Sequence, residues 1–298
     1  MFFSIWLGII LSGGQTGCAP FQHQTAAPAM STAPMQVQRR GSAAPSTVPS
    51  VPARGLHNLD SPMVPKVPPP GAKVVYNSIH ISEPYIALTF DDGPHISNTP
   101  RLLDMLRERN IKATFFVVGK CAQEYPHLVR RILAEGHEIG NHTWTHRSLP
   151  TLSEASARDE LAKTAKAVED ASGYHIRIMR PPYGATSLRV KKMCYDDFGY
   201  PTILWDVDPF DWKRPGASIV RNRILGGTHP GSIILCHDIH QQTIDAMPET
   251  LDTLLSKGYR FVTVSQLLNL DAAGAAQAAN TVPQAAVPAV EPAASAGL

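Results

Sequence analysis

The sequence predicts an α/β fold in which strands and helices alternate and the strands run parallel. Three observations predict it. Short apolar runs alternate with longer amphipathic stretches from residue 85 to residue 262. Clusters of His, Asp, Arg and Trp follow directly on those apolar runs, and parallel α/β architectures carry their sites at the strands' carboxyl ends. Pro and Ala crowd the two ends of the 298-residue chain, which leaves one domain in the middle.

Taken in order, residues 1–18 (MFFSIWLGIILSGGQTGC) form an apolar run closed by small and polar residues, too short for a comfortable membrane span. The segment reads as an export signal, though it lacks the usual basic residue at its start. Export implies the periplasm or cell envelope. Cys18 after Gly17 resembles a bacterial lipoprotein processing site, but Gln15 stands where that site prefers an aliphatic residue. A lipid anchor at Cys18, a plain cleavable signal and an uncleaved membrane anchor all remain open. Residues 19–72 and 271–298 are rich in Pro and Ala without apolar periodicity and read as a disordered linker and tail. The domain is expected over residues 73–270.

Within it, strands are expected at residues 85–90, 113–118, 176–179, 201–205, 232–236 and 260–262. Helices are expected at 99–109, 123–135 (stopped by Gly136), 153–171, 188–195, 217–225 and 243–257. The net charge of +2, with no Lys/Arg block, excludes nucleic acid as a partner. Of Cys18, Cys121, Cys194 and Cys236, three remain if Cys18 is removed or lipidated, an odd number that cannot form a complete disulfide framework. Cys236, inside SIILC, reads as a buried thiol.

Five clusters carry chemistry. Asp91-Asp92-Gly93-Pro94 makes a sharp turn after a strand; two adjacent carboxylates repel, and a cation relieves them, although a plain Asx turn has the same composition. His142 and His146 lie four apart, so a helical turn would aim both rings at one ion; with a carboxylate they make a two-His, one-carboxylate site, whereas a bare His pair is often incidental. A zincin reading from His137-Glu138 fails because Asn141 occupies the position that needs His. Arg180-Pro181-Pro182-Tyr183-Gly184 fixes a backbone whose Tyr183 and Gly184 N–H groups are free to face a site, or is simply a rigid connection. Asp208-Pro209-Phe210-Asp211-Trp212 offers an aromatic that could stack on a sugar, or a turn; Leu235-Cys236-His237-Asp238 places an imidazole after a strand. Five such clusters at five strand ends are hard to explain as turns.

With TFDDGP, HTWTH, RPPYG, DPFDW and LCHD in this order, the sequence resembles the polysaccharide deacetylases of NodB homology, carbohydrate esterase family four. The resemblance implies a distorted (β/α) barrel with fewer than eight strands. It also implies a metal held by Asp92, His142 and His146: Zn²⁺ first, with Co²⁺, Ni²⁺ or Mn²⁺ as alternatives. Asp91 becomes the general base, Arg180 its ion-pair partner, His237 the general acid, and Asp211 the carboxylate that orients the acid. The Tyr183 N–H would hold the developing oxyanion, Leu235 would line the acetyl pocket, and Trp212 would wall the groove. His95 and Asp208 are not assigned roles. The implied activity is metal-dependent N-deacetylation of N-acetylglucosamine units, in peptidoglycan first and chitin or chitooligosaccharide second, by a monomer. The alternatives are an O-acetyl esterase acting on a polysaccharide and a secreted carbohydrate-binding protein that has lost turnover.

Overall fold

The computed structural model describes residues 74–270. The expected signal, Cys18, the linker and the tail lie outside the described residues. In chain order the elements are β1 (Val75–Tyr76), β2 (Tyr85–Asp91), α1 (Asn98–Glu108), β3 (Thr114–Val117), α2 (Gly119–Glu124), α3 (Pro126–Ala134), β4 (Glu138–Asn141), α4 (Glu154–Ser172), α5 (Leu188–Phe198), β5 (Thr202–Ile203), α6 (Ala217–Gly227), β6 (Ile233–His237), α7 (Gln241–Ser256) and β7 (Arg260–Phe261).

All ladders are parallel. β2 is central, flanked by β3 and β6, with β4 beyond β3 and β7 paired to the first two residues of β2; β1 and β5 form a separate pair. Single bridges at Asn141↔Met179, Met179↔Thr202 and Val207↔Ile234 connect the two sheets on both sides. The result is a distorted barrel with seven strands among the described residues and no continuous ladder around it.

The period-two alternation of the strands sorts their side chains. Ile86, Leu88 and Phe90 of β2, with Ile234 and Cys236 of β6, join the larger core under the helices. Ala87 and Ile233 belong to a smaller inner cluster with Phe116, Ile178, Ile203 and Val264. Thr89 and Asp91 continue the inner face of β2, and Leu235 and His237 are their register partners on β6. That face therefore changes from apolar to polar toward the strands' carboxyl ends, which is where a site can form. Cys236 is fully buried, as expected, and burial pushes its thiol well up.

β1 is not among the expected strands, and three further elements depart from expectation for local reasons. The helix expected at 123–135 divides because Pro126 cannot continue an incoming helix but suits a first turn. The strand expected at 176–179 is reduced to bridges through Met179, since Pro181 and Pro182 have no N–H to extend a ladder. β4 was not expected, because Glu-Ile-Gly-Asn carries a single apolar side chain. Its Gly140 is required: a Cβ there would lie 2.4 Å from the Phe116 ring.

Gly231 supports the opposite end. Its φ is +84, and a Cβ would lie 2.1 Å from the Ile79 carbonyl oxygen, in a turn where Ile79 N donates to Gly231 O and Gly231 N to Tyr85 O. Gly231→Ala is expected to destabilise the domain by about 3 kcal/mol, lowering Tm by roughly 10 °C. A thermal melt within about 2 °C of the parent would contradict this packing.

Candidate active site

The site begins where β2 stops. Asp91, 2% exposed, is held by Arg180, whose Nη1 donates to Asp91 Oδ1 at 2.8 Å and to Thr89 Oγ1 at 2.7 Å. Arg180 Nε and Nη2 donate to the Ile203 and Leu204 carbonyls, and the guanidinium lies 4.2 Å over the Phe116 ring. This fully buried cation fixes the carboxylate from below. In a continuing strand Asp92 would face away from Asp91. Its φ of +75 breaks the alternation, and both carboxylates approach the same imidazole: His142 Nε2 is 3.7 Å from Asp91 Oδ2 and 3.4 Å from Asp92 Oδ1.

The two histidines do not sit on a helical turn. Thr143 and His146 have φ of +66 and +57, so the segment after β4 is a tight loop, and it is this loop rather than an i,i+4 face that converges the rings. Their centroids are 5.0 Å apart. The loop is anchored by buried polar groups. Asn141 Oδ1 accepts from Thr143 N, and Glu160 of α4 accepts from Thr145 N at 2.7 Å and Thr145 Oγ1 at 2.6 Å. His137 and Glu138, by contrast, serve the frame: His137 Nδ1 accepts from Ala113 N, and Glu138 holds Thr114 and Ser265.

Asp92, His142 and His146 are the group among the described residues that can hold a metal ion. Three observations fit one. Asp92 Oδ1 is buried with no hydrogen-bond partner. His142 Nε2 and His146 Nε2 lie 3.4 and 3.3 Å from that oxygen, close to the ~3.3 Å edge of a tetrahedron with ~2.0 Å bonds. His142 Nδ1 donates to the Arg180 carbonyl at 2.8 Å, which leaves its Nε2 lone pair for the ion. Burial, then the neighbouring His142, lowers His146 to about 4, keeping it neutral, whereas Asp91 and Asp92 raise His142 against the effect of burial. Burial works to raise Asp92, yet His142, His237 and His146 hold it well below the usual carboxylate range.

Across from this group stands His237, register partner of Asp91. Asp211, wholly buried, takes His237 N–H on Oδ2 and the ring Nδ1–H on Oδ1, both at 2.8 Å, while Thr243 Oγ1–H and Trp212 N–H also donate to it. Burial pulls the imidazole down, but Asp211, then Asp92 and Asp91, raise it to about 9. His237 is therefore cationic at neutral pH, with Nε2–H directed away from Asp211.

Around these groups, Leu235 is 3% exposed on the inner face, Trp212 is 48% exposed, and the ring of Tyr183 packs 4.6 Å from that of His146. Of the two N–H groups expected free, that of Gly184 is taken by Pro181 O, while no protein acceptor takes that of Tyr183 among the described residues. Tyr183 φ is +62, the backbone turn that separates the two. His95 and Asp208 are turn residues: His95 Nδ1 accepts from Ser97 N and Asn98 N, and Asp208 Oδ1 from Phe210 N.

Asp238, named with its cluster but given no role, and Glu160, not singled out in the sequence, are both buried partners of the site's loops. Asp238 accepts from Thr99 Oγ1, which in turn accepts from His95 N, and its carboxylate packs on Gly93, where a Cβ would lie 2.4 Å from Oδ1. Burial raises Asp238 to about 7. Glu160 had a visible signal, since it shares the buried stripe of Ala157, Leu161, Thr164 and Val168 on α4.

Comparison with known proteins agrees with this geometry. The family model for polysaccharide deacetylase matches residues 80–202. A peptidoglycan-N-acetylglucosamine deacetylase, PgdA, of Listeria monocytogenes is 47% identical over 182 residues, 61% of this chain and 38% of that protein. The chain thus spans well under half the length of that relative. A peptidoglycan-N-acetylglucosamine deacetylase of Bacillus cereus is 40% identical over 192 residues, covering 63% of this chain and 89% of its own. Among solved structures, a peptidoglycan N-acetylglucosamine deacetylase superposes with a TM-score of 0.63 at 37% identity, over 65% of this chain and 92% of that one. With this similarity across nearly the whole of a shorter relative, and with the five clusters gathered at one barrel mouth, the chain belongs to the polysaccharide deacetylase family.

Proposed function

We propose that the protein hydrolyses the acetamide of N-acetylglucosamine units in an envelope glycan, peptidoglycan first, releasing acetate and leaving a free amine. One observation carries this reading: an ion-paired Asp91 and a cationic, Asp211-bound His237 stand on neighbouring strands beside the Asp92, His142 and His146 group. Asp92, His142 and His146 would hold a divalent cation, which would supply charge to acidify a water and polarise the acetyl carbonyl. Zn²⁺ suits the donor set, and Co²⁺, Ni²⁺ or Mn²⁺ are compatible with it.

Asp91 takes the proton of the attacking water, and the ion pair with Arg180 holds the carboxylate in place for that task. As the carbonyl carbon becomes tetrahedral its oxygen gains charge, and the Tyr183 N–H donates to it. His237 gives the Nε2 proton to the amide nitrogen, the C–N bond breaks, and acetate and amine separate. Leu235 borders the acetyl methyl and Trp212 stacks on the sugar. The linker-tethered, exported layout read from residues 1–72 supports an envelope substrate.

The test is product analysis with peptidoglycan glycan strands, chitopentaose and acetylated xylan: acetate with one new amine per acetate supports the reading, and acetate from xylan alone overturns it. A pH profile tests the acid. The protonated imidazole is the active form, so the rate falls as pH rises through about 9. Asp211→Asn removes the partner that raises His237, and the basic limb of kcat is expected to move down by at least about one pH unit. An unmoved limb would assign the acid elsewhere.

A further inference from the structure

The loop that carries Asp211 and Trp212 also carries cations that the chemistry above does not use. Lys213 Nζ lies 4.8 Å from the ring centroids of both Phe210 and Trp212, and the Arg223 guanidinium covers Phe210 at 5.4 Å. Arg214 follows directly; burial chiefly, then His237 and Arg214, lower His240, whose ring centroid is 5.9 Å from that of His237. All three cations are exposed. Among the described residues none of them has an acidic partner, as is also true of Lys120, Arg130, Arg147 and Lys257, but Lys213 and Arg223 lie around one aromatic pair and Arg214 adjoins Lys213 in the chain. The nearby acids are committed: Asp208 caps Phe210 N, and Asp211 is buried against His237.

The loop is also held in a demanding conformation. Phe210 and Arg214 both have φ of +53, a region that bulky side chains rarely adopt. Three bonds keep it there: Arg214 N to Asp211 O, Gly216 N to Gln242 Oε1 at 2.7 Å, and Gln242 Nε2 to Asp211 O. Two unpaired cations are thus presented rigidly beside an exposed aromatic pair, next to the proposed acid. Strain of this kind persists where a fixed presentation is used.

We propose that Lys213 and Arg214 form a cationic shelf, flanked by Arg223, that receives a carboxylate borne by the unit adjoining the sugar being deacetylated. This rests on the deacetylase reading and deepens it, because the shelf would distinguish a carboxylated glycan from a neutral one of the same length. The carboxylate has two sources in peptidoglycan: the free lactyl group of a peptide-free muramic unit, or the acids of an attached peptide.

The experiment compares the parent with the double variant Lys213→Gln, Arg214→Gln on four substrates of matched length. These are a peptide-free alternating glycan with free lactyl carboxylates, the same glycan amidated, a peptide-bearing glycan, and a chitooligosaccharide. For exposed charge pairs the expected loss in kcat/KM is about fivefold, carried by KM, on carboxylated substrates, against less than about twofold on the amidated glycan and the chitooligosaccharide. The parent's preference for the carboxylated glycan should shrink as salt is raised. Loss on the peptide-free glycan assigns the lactyl group, and loss only on the peptide-bearing glycan assigns the peptide. Equal loss on charged and neutral substrates, or none on any, overturns the shelf. If the parent releases acetate from no substrate, the deacetylase reading itself fails, and the shelf falls with it.

Discussion

Asp91→Asn is expected to lower kcat for acetate release by roughly 10²- to 10⁴-fold, the range that a positioned general base contributes. The substitution keeps the shape and one acceptor for Arg180 Nη1 but removes the charge and the proton-accepting capacity. It also leaves a fully buried guanidinium without its counter-ion, so a lower Tm accompanies the loss, and activity must be normalised to folded protein. Substrate KM and metal stoichiometry should change little, because the three converging donor atoms belong to Asp92, His142 and His146. Activity within tenfold of the parent would move the base to another residue.

The second large effect concerns the ion. His146→Ala removes one of three donors around the unpartnered Asp92 Oδ1, and metal affinity is expected to fall at least about 100-fold in competition with a chromophoric chelator. Activity should fall with it. A readout independent of turnover is available: added Zn²⁺ at ~100 times its Kd should stabilise the stripped parent by about 2.7 kcal/mol, and the variant far less at the same concentration. Equal thermal stabilisation of parent and variant would show that the ion binds elsewhere.

What was legible in the sequence follows from how far each residue's neighbours lie along the chain. β2, β6 and the helices other than the divided α2–α3 pair are legible because apolar periodicity is local, whereas the His142 cluster follows β4, which that periodicity does not show. Asp92, His142 and His146 meet as the resemblance implied, but the means could not be read. Positive φ at Asp92, Thr143 and His146 is a backbone choice imposed by tertiary contacts, and it replaced the helical turn expected for the His pair. The ring of acceptors around Arg180 was equally hidden, since Ile203 and Leu204 offer carbonyls whose side chains carry no signal. The role of Asp238, named only as part of its cluster, is hidden because its partner Thr99 is 139 residues away. Glu160 escaped because a glutamate in a polar helix looks solvated until its place on the buried stripe is counted. The missed β4 teaches the same lesson for the fold: its pairing with β3 is set by neighbours, with Gly140 lying against Phe116, rather than by its own composition.

In the proposed reaction one barrel mouth combines a metal group, a base and an acid to cleave an acetamide. Its most direct test is to strip the protein of metal, return one equivalent of Zn²⁺, and count acetate and new glucosamine amine from a defined N-acetylglucosamine oligomer. No product is expected before addition, and acetate and amine in equal amounts after it. Turnover unaffected by stripping, or a stoichiometrically loaded protein that yields neither product from peptidoglycan strands or chitooligosaccharide, would contradict it.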